Sequence, residues 1–369
     1  MAMTGKERMM IAIKKGKPDR LPVTIHQWQE YHLKKYMKTA DEIDAFKLTG
    51  LDAAVTPWHG TFALADSPGW RYRIEEKGDR NGQLIKRHTV TTPEGDLTWE
   101  TGTNPYTTFN TEHIIKTRKD AEIFLKYLPP AKLDKKKIAW WYDRTGDLGI
   151  VRHVVCPFAQ PGSWQEFCEL AGTQEAIMFA MEDPAFVHFF LRGITAYKVD
   201  YVHREMPGAK IDLIEHGGGS ASSSVISPAM FDEFCVPYDK QVIDALHDIG
   251  LPVVYHTCGA IMAILEHIPA NGCDASETCS PPGVGGDVGA VDCAIVKQVL
   301  GSKVSLIGGI DQSNTLEQGT PQDVRREVRA CFETLGAGGG YICSASDHFF
   351  NAPVENLKAM ARAARECVY

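Results

Sequence analysis

A single (β/α)8 barrel interrupted by an inserted β-element is the fold that this sequence predicts, and three observations carry it. From residue 149 onward, short apolar runs alternate with amphipathic stretches, the pattern of a parallel sheet covered by helices. Two earlier apolar runs bring the strand count to eight, the number that closes an α/β barrel. Between about residues 70 and 102 the rhythm changes to strict polar–apolar alternation with turn signals, as in an exposed antiparallel hairpin or meander.

In chain order, "MAMTGKERMMIAIKKGKPDR" reads as a short amphipathic helix ending before Pro18. "RLPVTIH" (20–26) and "DAAVTPW", beginning at Asp52, are the first two strands. The insertion follows, with "RNGQ" and "PEGD" as its turns. The remaining strands are "GIVRHVVC" (149–156), "IDLIEHGG" (211–218), "PVVYHTC" (252–258), "CDASETC" (273–279), "VSLIGGID" (304–311) and "GYICSAS" (340–346). Between the fourth and fifth lies "SPAMFDEFCVPYDKQVIDALHDIG", apolar at helical spacing, opened by Ser227-Pro228 and closed by Gly250, proper helix-end signals. With no linker rich in Pro, Gly or Ser and no internal repeat, residues 1–369 read as one barrel domain.

The composition, 44% hydrophobic and 23% charged with a net charge of −8, belongs to a soluble globular protein and speaks against nucleic acid or an anionic membrane as partner. No run approaches the ~20 apolar residues of a membrane span. The N-terminus lacks the apolar core and cleavage site of a secretory signal. Ten scattered cysteines, none in a CxxC, suit a reducing cytoplasm without disulfides.

Barrels place their chemistry at the C-terminal ends of the strands. Those ends offer His26, Trp58, His59, Arg152, His153, Glu215, His216, His256, Cys258, Glu277, Asp311, Asp347 and His348. His256 and Cys258 stand two apart in "YHTCG", so both project from one strand face. Imidazole nitrogen and thiolate suit zinc, with a third ligand from another strand leaving a position open for substrate. Spacing alone favours a packed histidine beside a buried thiol, because His-x-Cys arises often by chance. Cys343, Asp347 and His348 compete as third ligand, with Glu215 and Glu277 as further oxygen donors. The glycine clusters "EHGGGSASSS" and "GVGGDVGA", with Gly217, Gly218 and Gly285, lack the spacing of a phosphate cradle; they are read as letting a bulky ligand approach the barrel mouth. Trp28, Tyr31 and His32, after the first strand, either line a ligand pocket or pack a helix.

Long blocks resemble the uroporphyrinogen decarboxylase superfamily: "GKERMMIAIKKGKPDRLPV", "SPAMFDEFCVPYDKQVIDALHDIGLPVVYHTCG", "GCDASETCSPPGVGGDVGAVDCAIVKQVLGSKVSLIGGID" and "GGGYICSASDHFFNAPVENLKAM". The resemblance implies the same barrel and two chemistries. The tetrapyrrole decarboxylases carry an arginine-rich "RQAGRY"-type motif near the N-terminus, where this chain has "TIHQWQEYHLKKYM", leaving substrate carboxylates without charge partners. The corrinoid-dependent methyltransferase branch carries His-x-Cys as two zinc ligands, matching His256 and Cys258. In its coenzyme M-methylating members the third ligand is a cysteine of the last-strand loop, where this chain places Asp347.

The expectation is therefore a zinc-dependent methyltransferase of a corrinoid pathway. It would move a methyl group between a small substrate, foremost an aryl methyl ether as in the methyltransferase component of an O-demethylase, and the cobalt of a partner corrinoid protein. The zinc ligands would be His256, Cys258 and Asp347, with Glu215, His216, Glu277 and His348 orienting ligands or supplying a proton. Gly217, Gly218 and Gly285 would border the corrinoid. The alternatives are a methylcobamide:thiol methyltransferase of the coenzyme M type, a decarboxylase, and a non-catalytic corrinoid- or tetrapyrrole-binding barrel. A homo-oligomer is compatible with each.

Overall fold

The computed structural model describes residues 3–57, 60–155 and 161–369; Trp58, His59 and Cys156 lie outside them. The first two strands are β1 (Val23–Thr24) and β2 (Ala53–Val55). Then come β3 (Phe62–Leu64), β4 (Arg71–Arg80), β5 (Gln83–Thr92), β6 (Gly95–Thr103), β7 (Thr108–Glu112) and β8 (Ala131–Leu133). The rest are β9 (Gly149–Val154), β10 (Leu213–Gly217), β11 (Val253–His256), β12 (Ala275–Thr278), β13 (Ser305–Ile310) and β14 (Tyr341–Ala345). Eight form a parallel sheet in the order β1-β14-β13-β12-β11-β10-β9-β2, the predicted barrel. Between its end strands, Asp52 N–H donates to Val23 C=O at 2.8 Å. The Asp52 carboxylate in turn accepts from Val23 N–H at 3.0 Å and from Arg20.

Side-chain alternation along the strands divides the barrel interior into two layers. Ala54, Ile150, Leu213, Val254, Ala275, Ile307 and Ile342, one from each of seven strands, form a buried cluster with Met9, Ala12 and Ile13 of the helix Gly5–Ile13. That helix starts in a capping box of Thr4 and Glu7, and its apolar face plugs the N-terminal end of the barrel. Each large side chain buried there contributes roughly 1.5–3 kcal/mol. Two residues further along the same strands stand Arg152, Glu215, His256 and Glu277, all buried. A step of two keeps the side chain on the same face, so the apolar plug is followed by a polar layer nearer the mouth.

The insertion is larger than its sequence signal. Four antiparallel strands, β4 to β7, run from Arg71 to Glu112, ten residues past the predicted end at 102. Asn81 and Gly82 both have positive φ, as a two-residue hairpin turn requires. The turn before β7 is closed by the Asn104 side chain, which accepts from Tyr106 N–H and Thr107 N–H at 2.9 Å each; such a side-chain turn leaves little trace in hydrophobic periodicity. The antiparallel pair β3–β8 was also not predicted. The stretch from Ser227 to Gly250 is helical with an irregularity: a π-turn at Phe231–Cys235 precedes the helix Val236–Asp248. Pro237 lies there, and its missing N–H cannot continue a regular ladder. The nine described cysteines are all free. Among the described residues, no helix is long and apolar enough to cross a membrane.

Candidate metal centre at the barrel mouth

The polar layer is held by a buried arginine. Arg152 on β9 donates from Nη2 to Glu215 of β10 at 2.8 Å and to Glu277 of β12 at 2.7 Å, and all three side chains are at most 3% exposed. Because β9 and β12 are not neighbours, this contact crosses the barrel. His26, two residues past Thr24 of β1, brings Nε2 to 3.4 Å from Glu215 and 3.5 Å from Glu277. Burial opposes a charge on His26, but the two carboxylates outweigh it and raise its pKa to about 9. Burial likewise pushes Glu215 up, and His26 with Arg152 overrides it, taking Glu215 down to about 2. Glu277 is held well below the carboxylate range against its burial, chiefly by Arg152 and His26. Two cations thus balance two carboxylates, as a desolvated layer needs.

His256 joins this layer to a second group. Its Nδ1–H donates to Glu277 Oε1 at 3.1 Å, which turns Nε2 into the remaining ligand position, and Nε2 is buried without a hydrogen-bond partner. Burial alone would lower the pKa of His256; Cys258, Glu277 and Glu215 raise it well above the usual value. Donor atoms of His256, Cys258 and Asp347 lie within 4.8 Å of one another. Asp347, resisting the upward push of burial, is kept below its usual range by His26, His256 and His348. Cys258 and Asp347 are partly exposed, so the group opens toward the mouth.

These residues fit a zinc ion. An imidazole nitrogen without a partner, a sulfur and a carboxylate oxygen form a three-donor set of the open type, and thiolate with carboxylate neutralises a dication. Glu277, holding Nδ1–H of His256, is placed to orient that ring should its Nε2 bind a metal. Donor atoms of His26, Glu215, His256 and Glu277 also fall within 4.8 Å of one another, a second metal-competent cluster. There the Arg152 guanidinium already occupies both carboxylates, so a further cation would meet a positive charge.

The other sequence-predicted residues divide. His348 stands at the mouth, its ring 5.0 Å from that of His26, with Nε2 donating to Gln27 Oε1 at 3.1 Å. Burial and His26 lower its pKa to about 4. His216 points the other way, as the alternation from Glu215 demands: its Nε2 meets Asp239 at 3.0 Å, in a buried network with Tyr255 and Ser163 behind the strand. It therefore does not reach the polar layer. Gly217 and Gly218 are buried, and a Cβ on them would strike His256 O at 2.5 Å and Gln165 at 2.4 Å. Their bareness makes room for protein, whereas Gly285 is exposed and a Cβ there would meet nothing within 4 Å. Cys343 lies buried in β14, its pKa raised by that burial. His32 is turned inward, its Nε2 donating to Ala352 C=O at 2.8 Å, while Trp28 and Tyr31 line a cleft. His26 and Arg152 are central although the sequence reading gave them no role. The signal for Arg152 was present: a cation inside "GIVRHVVC" must find a charge partner.

Fold and site together define a (β/α)8 barrel with a metal-competent histidine–cysteine–aspartate group over a charge-balanced polar layer. Residues 156–367 match the uroporphyrinogen decarboxylase (URO-D) family, and the chain belongs to that family. It is 28% identical over 222 residues to a methylated-thiol–coenzyme M methyltransferase of Methanosarcina mazei, covering 60% of this chain and 54% of that one. A methylcobamide:CoM methyltransferase of the same organism is 25% identical over 150 residues, 41% of this chain and 40% of that one. The chloroplastic uroporphyrinogen decarboxylase of Zea mays is 25% identical over 181 residues, 48% and 42% of the two chains. The matches thus span about half the length of these relatives. A solved methyltransferase structure from Methanosarcina mazei superposes with a TM-score of 0.65 at 17% identity, over 99% of both chains, and shows the same fold.

Proposed function

We propose that the protein is a zinc-dependent methyltransferase of a corrinoid pathway, moving a methyl group between a corrinoid carried by a partner protein and a small substrate. The observation that carries this reading is the convergence of His256, Cys258 and Asp347 with the unpartnered Nε2 of His256. Two relatives named as coenzyme M methyltransferases support a thiol as that substrate. The ion, when bound, supplies Lewis acidity to the sulfur or oxygen that loses or gains the methyl group. The chain's own residues prepare the position. Glu277 holds the His256 ring by its Nδ1–H, Arg152 holds Glu277, and the apolar plug keeps water from entering below.

A second reading, an aryl methyl ether as methyl donor, is favoured by Asp347, since a carboxylate is a harder ligand than a second thiolate and suits a leaving oxygen. A decarboxylase needs no metal, and a mere corrinoid carrier needs no open-site zinc. The test is zinc analysis of the purified chain, followed by methyl transfer from methylcobalamin to a thiol and from 2-methoxyphenol to Co(I) cobalamin. About one zinc per chain is expected. Cys258→Ala and His256→Ala should lose zinc and transfer together while the circular dichroism spectrum stays unchanged. Full activity in metal-free Cys258→Ala defeats the proposal.

A further inference from the structure

We infer that the cleft between the segment after β1 and the β6–β7 turn binds the small substrate, and that Glu42 selects a neutral ring bearing a hydrogen-bond donor. This rests on the small-molecule methyltransferase reading above. The cleft encloses about 1010 Å³, the upper end of small-molecule sites. It adjoins the metal-competent group through Gln27, which follows His26, lines the cleft and accepts from His348.

Its walls are aromatic. Trp28 is buried, backed edge-on by Phe46 and Phe349. Tyr31 and Tyr106 meet with ring centroids 4.8 Å apart, so the inserted sheet closes one side with its last turn. The charges of the lining are unequal in their engagement. Lys34 is paired with Glu30, and Lys35 contacts Tyr31 and Asn351. Among the described residues Glu42, half-buried at the start of the helix Glu42–Thr49, makes no hydrogen bond or ion pair. Burial, with Asp41 beside it, pushes its carboxyl up to about 7.

Trp28 contributes its ring alone, because its Nε1 is buried and closed off from the cleft. An aromatic alcohol supplies what Glu42 lacks, an O–H donor, and a ring to pack against the aromatic walls. A sulfonate or carboxylate ligand would instead set a second negative charge against Glu42 in a partly desolvated cleft, which is disfavoured. Lys35, whose contacts are to neutral groups, is the cation that would offset it, and the sulfonate probe tests that balance.

The experiment titrates the zinc-loaded full chain with four probes by calorimetry: 2-methoxyphenol, 1,2-dimethoxybenzene, 2-mercaptoethanesulfonate and tetramethylammonium. At pH 8, where the Glu42 carboxyl is mostly ionised and a phenol is still neutral, a hydrogen bond to it predicts 2-methoxyphenol binding at least about tenfold more tightly than 1,2-dimethoxybenzene. Glu42→Ala should bring that ratio to about one with zinc content unchanged, and Glu42→Gln, which keeps an acceptor, should retain part of it. Equal affinity for the two rings overturns the inference, as does a preference that survives Glu42→Ala. Tighter binding of the sulfonate or of tetramethylammonium than of 2-methoxyphenol overturns it too. Zinc content and methyl transfer are measured separately, so absent transfer with an intact ring preference counts against the proposed function alone.

Discussion

Replacing Arg152 with methionine tests the polar layer most directly. The substitution keeps an unbranched, flexible side chain, two atoms shorter, and removes its charge. It strips both Glu215 and Glu277 of donors that stand at 2.8 and 2.7 Å, with every partner at most 3% exposed. Removing one member of a buried ion pair typically costs about 3–5 kcal/mol, because the opposite charge stays buried without compensation. Here two carboxylates are left, but His26 remains 3.4–3.5 Å from both, so the cost stays within that range. At about 2 °C per kcal/mol for larger domains, the midpoint of thermal unfolding should fall by about 6–10 °C. Glu277 also fixes the ring of His256, and losing an outer partner of a metal ligand lowers metal affinity about 10–100-fold. Differential scanning fluorimetry of the metal-free chain and zinc competition against a chromophoric chelator read the two effects. Adding Glu277→Gln to Arg152→Met should recover part of the stability and none of the affinity. An Arg152→Met chain with unchanged melting and unchanged zinc affinity would refute the reasoning.

Three further outcomes follow from other contacts. Gly219→Ala places a Cβ 2.7 Å from Cys258 Sγ; zinc affinity should drop about tenfold with little change in melting, and unaltered affinity would detach Cys258 from the metal. Asp239→Asn weakens a buried carboxylate that accepts from Tyr255 at 2.6 Å and Ser163 N–H at 3.1 Å and meets His216 at 3.0 Å. Stability should fall by about 2–4 kcal/mol with zinc content preserved, whereas zinc loss would return His216 to the metal site. Glu42 has its carboxyl raised to about 7, so its contribution to stability is complete below the unfolded value near 4.5 and is lost as pH rises toward 7. Glu42→Gln should therefore match the wild type at pH 4.5 and melt higher at pH 8, by at most about 3 kcal/mol and nearer 1 with solvent screening at the cleft mouth; a gap independent of pH counts against it.

The barrel was legible because its strands repeat one signal, an apolar run ending in polar residues, and because helices with clear caps separate several of them. The insertion was legible up to its second turn; β7 was missed because its turn is made by the Asn104 side chain. For the site, strand ends supplied every residue of the polar layer, but choosing among them needed the alternation to be followed from one neighbour to the next. Glu215 faces Arg152 across the layer while His216, adjacent in sequence, faces the helices. Arg152 reaches Glu277 across the barrel, a contact that depends on closure and on no spacing along the chain.

That geometry explains why the metal group and the fold are coupled. Ile150 and Arg152, Leu213 and Glu215, Val254 and His256, and Ala275 and Glu277 are each two apart on one strand face. Each strand therefore passes directly from the apolar plug to the polar layer, since the one residue between them points to the opposite face. In such surroundings charge must balance locally. Arg152 and His26 answer Glu215 and Glu277 below, and Cys258 with Asp347 can answer a dication above. His256 belongs to both groups, bound to Glu277 by one nitrogen and free at the other. A change of charge in the lower group would therefore be felt by a metal bound at Nε2 through this ring. A change confined to Cys258 or Asp347 leaves the lower balance intact, so it should empty the site without unfolding the barrel.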